Sequence, residues 1–436
     1  MSRPRKAAMS QAIDQFFDAL RGLGSPEELA ASTLAPAVRP RVNAHIHLPP
    51  NFSAFDTTAQ AVALAEAQDV RVLGASNYYD YHVYGEFAAQ AQARGVFPLF
   101  GLEIIALIDD LAQGGVKIND PGNPGKMYLC GKGITRFDPM TPQAQALLQT
   151  IRDNDSQRAA AVTETLASVF ARAGLETGLT AGAIKARVAQ RHDCPLETVY
   201  LQERHIAQAF QEALFAEVPE AGRAGVLERA YGSVPKADVV NAVAVQNEVR
   251  SQLLKAGKAA YVTETFVGFD HTYQLILALG GIPCYPVLAD GASPLTAYEA
   301  DPARLAADLK ARGIPCAELI PNRNAPDVLS RYVHALRDAG LFVTAGTEHN
   351  TLDLLPLEPI CLGGVPVPDD VQEIFWEGAC VVAAHQYRAA QGEGGGVDAQ
   401  GTPHADYPSG EARIAAFRAL GRKIISRYGE AFRRTA

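Results

Sequence analysis

Two histidines separated by one residue, in the run Asn43-Ala44-His45-Ile46-His47-Leu48, have the spacing in this 436-residue chain that points most directly to chemistry. They follow the β-branched Val42 and read as the end of a strand. Residues i and i+2 of a strand face the same side, so both imidazoles project together, as two ligands of one metal ion must. Taken alone, the pattern equally describes a strand end carrying two unrelated histidines. Other residues add to it. Glu103 closes the apolar run VFPLFGLE, and Glu348 lies in GTEHNT after the apolar LFVTA. Arg204 and His205, in ERHIAQAF, set a planar guanidinium beside an imidazole. Such a pair suits an anion, because bidentate arginine hydrogen bonds match phosphate or carboxylate. The segment NYYDYHVY places Asn77, Tyr78, Asp80 and His82 in one aromatic loop, and Asn322, Arg323 and Asn324 follow the strand-like IPCAELIP. His271, His334 and His385 fall in helical patterns and are expected to be structural.

These residues need elements to hold them. Strand-like runs at Arg41 to Leu48, Val70 to Asn77 and Val96 to Ile105 alternate with helical patterns at Thr57 to Gln68 and Gly85 to Arg94. Alternation at this spacing is the pattern of parallel βα units. Lys126 to Ile134 is a further strand after a loop rich in Gly, Asp and Pro. From residue 140 to 260 the chain turns to Ala, Gln, Arg and Glu with 3.6-residue periodicity, which reads as an inserted helical cap. The series then resumes over 261–390 with three more strand-like runs, GGIPCYPVLAD, IPCAELIP and LFVTAGTEHNT. A leader over 1–40, with Ile13, Phe16, Phe17 and Leu20 on one helical face, and a Gly-rich tether with a terminal helix over 391–436 flank the barrel parts at 41–139 and 261–390. Without leader, cap and tail, roughly 250–280 residues remain, the size of a (β/α) barrel. In such a barrel His45, His47, Asn77, Glu103 and Glu348 would all stand at the C-terminal strand ends. A doubly wound open sheet fits less well, since neither a GxGxxG nor a GxxxxGK[ST] turn is present.

Composition narrows the class. A hydrophobic content of 48% with 20% charged residues is that of a soluble globular protein. A formal charge of −9 argues against a nucleic-acid or anionic-membrane surface. The six cysteines form no CxxC pair, so a disulfide framework or structural zinc site is not indicated. With no signal-peptide run or apolar span, a cytoplasmic setting is expected.

The order His-x-His, GLE at a strand end, ERHIA within an inserted helical block and a late GTEHNT resembles the PHP (polymerase and histidinol phosphatase) family. The resemblance covers roughly residues 41–354. It implies a distorted (β/α)7 barrel that binds divalent metals and hydrolyses phosphate esters. Carried across by position, His45, His47, Glu103 and Glu348 become metal ligands, and Arg204 and His205 match the cap motif that reaches the substrate phosphate. The departures are several. Asn77 and Tyr78 stand where the family has Asp-His, and Tyr128 replaces a histidine. Asn350 occupies the late histidine's place, with His349 shifted by one, and IPCYPVLAD carries no histidine. The surviving set fits one Zn²⁺, Mn²⁺ or Fe²⁺ rather than a cluster. The implied function is metal-dependent hydrolysis of a small anionic metabolite, with His205 or His349 protonating the leaving group and Asn77, Tyr78, Asp80 and Arg323 contacting substrate. A metal-dependent isomerase or lyase acting on a sugar acid, or a non-catalytic ligand-binding relative, are the alternatives that the tyrosine-rich loop leaves open. Nothing in the sequence specifies an oligomeric state.

Overall fold

The computed structural model describes residues 3–33, 39–404 and 406–433. Seven strands make a nearly closed, barrel-like sheet within an α/β chain: β1 (Arg41–Ile46), β2 (Val70–Ala75), β3 (Phe97–Leu107), β4 (Lys126–Lys132), β6 (Ile282–Val287), β7 (Cys316–Leu319) and β8 (Phe342–Ala345), hydrogen-bonded in that order. A two-residue strand, β5 (Val267–Gly268), joins the far end of β3 instead. Closure comes beyond β8. Ile46 and Glu348 form a parallel bridge, Glu348 N donates to His45 O, and His47 N donates to Glu348 O. The first and last metal-site candidates of the sequence therefore sit on the seam that shuts the barrel.

One strand runs against the rest. β4 is antiparallel to both neighbours, β3 and β6, whereas the other barrel strands are mutually parallel. The connection from β3 to β4 explains this. Residues 108–125 contain only a five-residue helix, Asp109–Gln113, and not the crossover helix that usually carries a chain back to a parallel strand. The expectation of a distorted seven-strand (β/α) barrel is met, and the reversed strand is its distortion. It also gives β4 one continuous inward face, Lys126, Tyr128, Cys130 and Lys132, which runs from the barrel mouth into its interior.

The side chains bury in two hydrophobic clusters. The larger joins the barrel to the helix Arg3–Arg21, through Phe16 against Phe97 and Phe100, and to the helix Gly410–Arg433, through Tyr428. The helix Gly410–Arg433 packs along Asp369–Ala390, so the described helices of the segments expected as leader and tail lie against the barrel part. The smaller cluster gathers Val162, Phe170, Phe210, Leu227 and Val249 between β4 and β5. The 31-residue helix Pro142–Arg172 serves both: Leu148 and Ile151 belong to the first, Leu166 and Phe170 to the second. Among the described residues no helix is long and apolar enough to cross a membrane.

Candidate metal centre

The i, i+2 geometry of β1 turns Asn43, His45 and His47 into the barrel, where both imidazoles are fully buried. From β3, Glu103 reaches the same point. Its Oε2 lies 3.3 Å from His45 Nε2 and 3.2 Å from His47 Nε2, and the two nitrogens are 3.4 Å apart. Three ligand atoms around a tetrahedral ion, each ~2.0–2.1 Å from it, are separated by ~3.3 Å, so this triangle is one face of such a site. Glu103 Oε2 is also a buried oxygen that, among the described residues, makes no hydrogen bond of good geometry and has only the two ring nitrogens beside it, an arrangement that costs free energy unless a cation or donor offsets it. Two imidazoles and a carboxylate suit Zn²⁺, Mn²⁺ or Fe²⁺. The residues present fit the ion.

Electrostatics separate the two histidines. Burial pushes both imidazoles down, and for His47 burial prevails. For His45 burial is again the largest single effect, but Glu318, with Cys130 and Glu103, together outweighs it and holds the pKa well above the ordinary value. Burial would raise Glu103, but the His45 and His47 rings beside it together hold it below the usual carboxylate range. Packing fixes the rings. Tyr78 stacks on His47 at 5.1 Å with the planes 3° apart, and Gly346 admits His45, because a Cβ there would fall 2.3 Å from the His45 Cβ.

Two charged residues at the centre were not singled out from the sequence. Glu318 on β7 and Lys132 on β4 are buried inside the barrel, with Glu318 Oε1 2.6 Å from His45 Nδ1 and Oε2 2.5 Å from Lys132 Nζ. The signal was present: a charged residue inside a strand as apolar as IPCAELIP or MYLCGKGI is rarely buried without a partner. Cys130, next to His45, is pushed up to about 12 by burial and stays a thiol.

Above the triangle lies a cavity of about 290 Å³ between barrel and helical block. Glu103, Tyr78 and Tyr128 form its floor side, while Asp155, Arg158, Glu203, Arg204 and Arg250 come from the inserted helices. Most cations there are neutralised: Lys126 by Asp120, Arg158 and Lys255 by Glu203, and Arg323 by Glu348. Arg204 makes a 3.4 Å hydrogen bond to Asn247 and, among the described residues, no ion pair is found for it. Burial and the nearby Arg250 lower its pKa to about 10, so it keeps its charge at neutral pH. Asp155 is raised from 3.8 to about 7, chiefly by burial and further by Glu203 and Glu264, against Arg158 and Lys126. Its Oδ2 is buried and, among the described residues, has no hydrogen-bond partner.

Of the residues expected at the site, the structure brings together His45, His47, Glu103, Tyr78, Arg204, Arg323 and Glu348. Within that set Glu348 stands apart from the triangle: its carboxylate forms a two-pronged pair with Arg323 and also accepts from Asn350. It lies outside the groups whose ligand atoms fall within 4.8 Å of one another. Four other expectations need correction. His205 does not reach the cavity; its Nδ1 accepts from Gln202 N, its ring packs edge-on to Phe52, and burial lowers its pKa to about 3. His349 stacks on Phe55, with both ring nitrogens engaged by Thr347 Oγ1 and Leu355 O. Asn77 spends its side chain on both backbone groups of Leu48, at 2.8 Å each. Asp80 is engaged by Arg152 at 3.2 Å and does not line the cavity. His271 and His385 bond backbone carbonyls and His334 pairs with Asp370, the structural roles anticipated. Backbone strain gathers here too: Tyr79 (φ 39°), Glu348 (φ 57°) and His349 (φ 51°) hold left-handed conformations at the ends of β2 and β8, such as cluster at functional sites.

No family model matches the chain, and no curated protein matches its sequence. Among solved structures, it is similar to a provisionally assigned metal-dependent phosphoesterase from Bifidobacterium adolescentis, with a TM-score of 0.50 and 16% identity over 78% of this chain and 96% of that one. An amidohydrolase from Chromobacterium violaceum, with bound sulfate and no metal, gives a TM-score of 0.49 and 18% identity over 77% and 96%. At 16% identity, the likeness to the Bifidobacterium protein is one of fold.

Proposed function

We propose that this chain is a divalent-metal-dependent hydrolase of the PHP type, acting on a small anionic ester, with a phosphomonoester as the leading class. The observation that carries the reading is the triangle of His45 Nε2, His47 Nε2 and Glu103 Oε2, three buried ligand atoms 3.2–3.4 Å apart at the floor of a cavity. When bound there, a divalent ion supplies Lewis acidity toward a phosphoryl or carbonyl oxygen and a lowered water pKa. The protein's own residues supply the remainder. Arg204, charged and, among the described residues, without a carboxylate partner, grips the anionic group. The Glu348 carboxylate holds Arg323 toward the same space rather than completing the ligand set. Stacking of Tyr78 fixes the plane of His47, and the inserted helices, led by Pro142–Arg172, form one wall of the cavity.

Neither His205 nor His349 faces the cavity, so the leaving-group proton needs another source. Asp155 fits, since its carboxyl retains a proton near neutral pH and its Oδ2 is free of internal hydrogen bonds. The experiment is phosphate release from a panel of phosphomonoesters by metal-loaded protein, compared with Arg204→Ala. Loss of one charge-assisted contact, ~1.5–3 kcal/mol, raises KM by about 10- to 100-fold. Metal-loaded protein that releases no phosphate from any member of the panel would sink the phosphoesterase reading.

A further inference from the structure

Besides the triangle, His45, Cys130 and Glu318 also bring ligand atoms within 4.8 Å of one another. These three residues have two opposed readings: a second cation site, or a support for His45. The hydrogen bonds decide between them. Glu318 is fully buried and both its oxygens are engaged: Oε1 with His45 Nδ1 at 2.6 Å, Oε2 with Lys132 Nζ at 2.5 Å and Thr344 Oγ1 at 3.1 Å. Lys132, itself 2% exposed, also donates to Ala44 O at 3.2 Å. A divalent ion at Glu318 would have to displace this ammonium or lie against it, and two cations in contact inside a barrel repel strongly. The cation that Glu318 requires is already part of the chain.

We infer that Glu318, neutralised by Lys132, is a positioning residue for the ion held by His45, His47 and Glu103, and not the ligand of a second one. The inference rests on the metal-site reading above. A carboxylate on Nδ1 keeps a proton on that nitrogen, so Nε2, beside Glu103 Oε2 and His47 Nε2, is the atom that would offer its lone pair to a bound ion, the outer-shell arrangement that orients metal-binding histidines. His47 is supported differently. Its Nδ1 has no hydrogen-bond partner among the described residues, and the Tyr78 ring holds it by stacking. Of the two histidines, Glu318 therefore touches only His45. Topology supplies the parts: Lys132 lies on the inward face of the reversed strand β4, and Glu318 on that of β7.

The test compares two double variants of the full-length chain, because removing one member of a buried ion pair leaves an uncompensated charge, whereas replacing both is often tolerated. Glu318→Gln with Lys132→Met keeps an acceptor for His45 Nδ1–H, and Glu318→Leu with Lys132→Met removes it. Metal-stripped proteins, checked for fold by circular dichroism and thermal melting, are titrated with Co²⁺ against a competing chelator while the visible spectrum is followed. The wild type is expected to bind one equivalent. The Gln variant should stay within several-fold of its affinity. The Leu variant should fall about 10- to 100-fold with an altered Co²⁺ spectrum. Equal affinity and spectrum in the two folded variants overturns the positioning role alone, as does a second wild-type equivalent that Cys130→Ser abolishes. A wild type that binds no stoichiometric ion overturns the metal reading and this inference with it.

Discussion

The side chains that matter at this site are sorted by where their hydrogen bonds go. Asn77 occupies the place of a family ligand, yet both ends of its amide close on Leu48, one residue beyond His47. Asn77→Ala would leave a buried N–H and C=O unpaired, so it should lower stability by about 1–3 kcal/mol per orphaned group, measured by denaturant unfolding, with little change in KM. Asp155 gives a pH signature. Its carboxyl binds a proton in the folded protein at pH values where the unfolded chain has lost it, so the folded state holds more protons between about 4 and 7. Stability contributed by that proton is present below this window and is lost as pH rises through it. Asp155→Asn should therefore melt higher than the wild type at pH 8, with the gap shrinking toward pH 4. If Asp155 donates the leaving-group proton, the same variant also removes the fall in rate above pH about 7. A wild type and variant with parallel melting profiles from pH 4 to 8 would contradict the assignment.

At the scale of elements, β1 was legible because its signal is local: His-x-His in an extended run fixes which way both rings face before any tertiary contact forms. Glu103, a lone acid within the apolar strand β3, was legible for the same reason. What the sequence hid was pairing across the barrel. Glu318 and Lys132 are 186 residues apart, and nothing local to either says that β4 runs backwards and faces β7's carboxylate across the interior. His205 and His349 were misjudged by a related limit. Motif position placed each next to a functional residue, but consecutive residues on a helix or strand point to different sides, so Arg204 and Glu348 reach the cavity while their neighbours turn into Phe52 and Phe55. The approach of β8 to β1 yields a prediction of its own. Gly346→Ala puts a methyl group against the His45 Cβ, and overpacking of this kind should cost about 1–3 kcal/mol and weaken metal binding at His45. A variant with unchanged unfolding midpoint and unchanged affinity would show that the seam between β1 and β8 is looser than described.

For the whole molecule, a barrel closed at the seam between His45 and Glu348, with helices inserted between β4 and β5, places a charged cavity above one buried cluster of ligand atoms. An ion that binds only the folded chain stabilises it by about 2.7 kcal/mol when its free concentration is 100 times Kd, so the melting temperature should rise on metal addition and fall back on chelation. The most direct test is the number of divalent ions bound per chain, by equilibrium dialysis and elemental analysis of metal-stripped, reconstituted protein. The expected result is one equivalent of Zn²⁺, Mn²⁺ or Fe²⁺ for the wild type and none for the variant carrying His47→Ala with Glu103→Gln. No stoichiometric uptake by the wild type, or equal uptake by the variant, would contradict the assignment of His45, His47 and Glu103 as a metal centre.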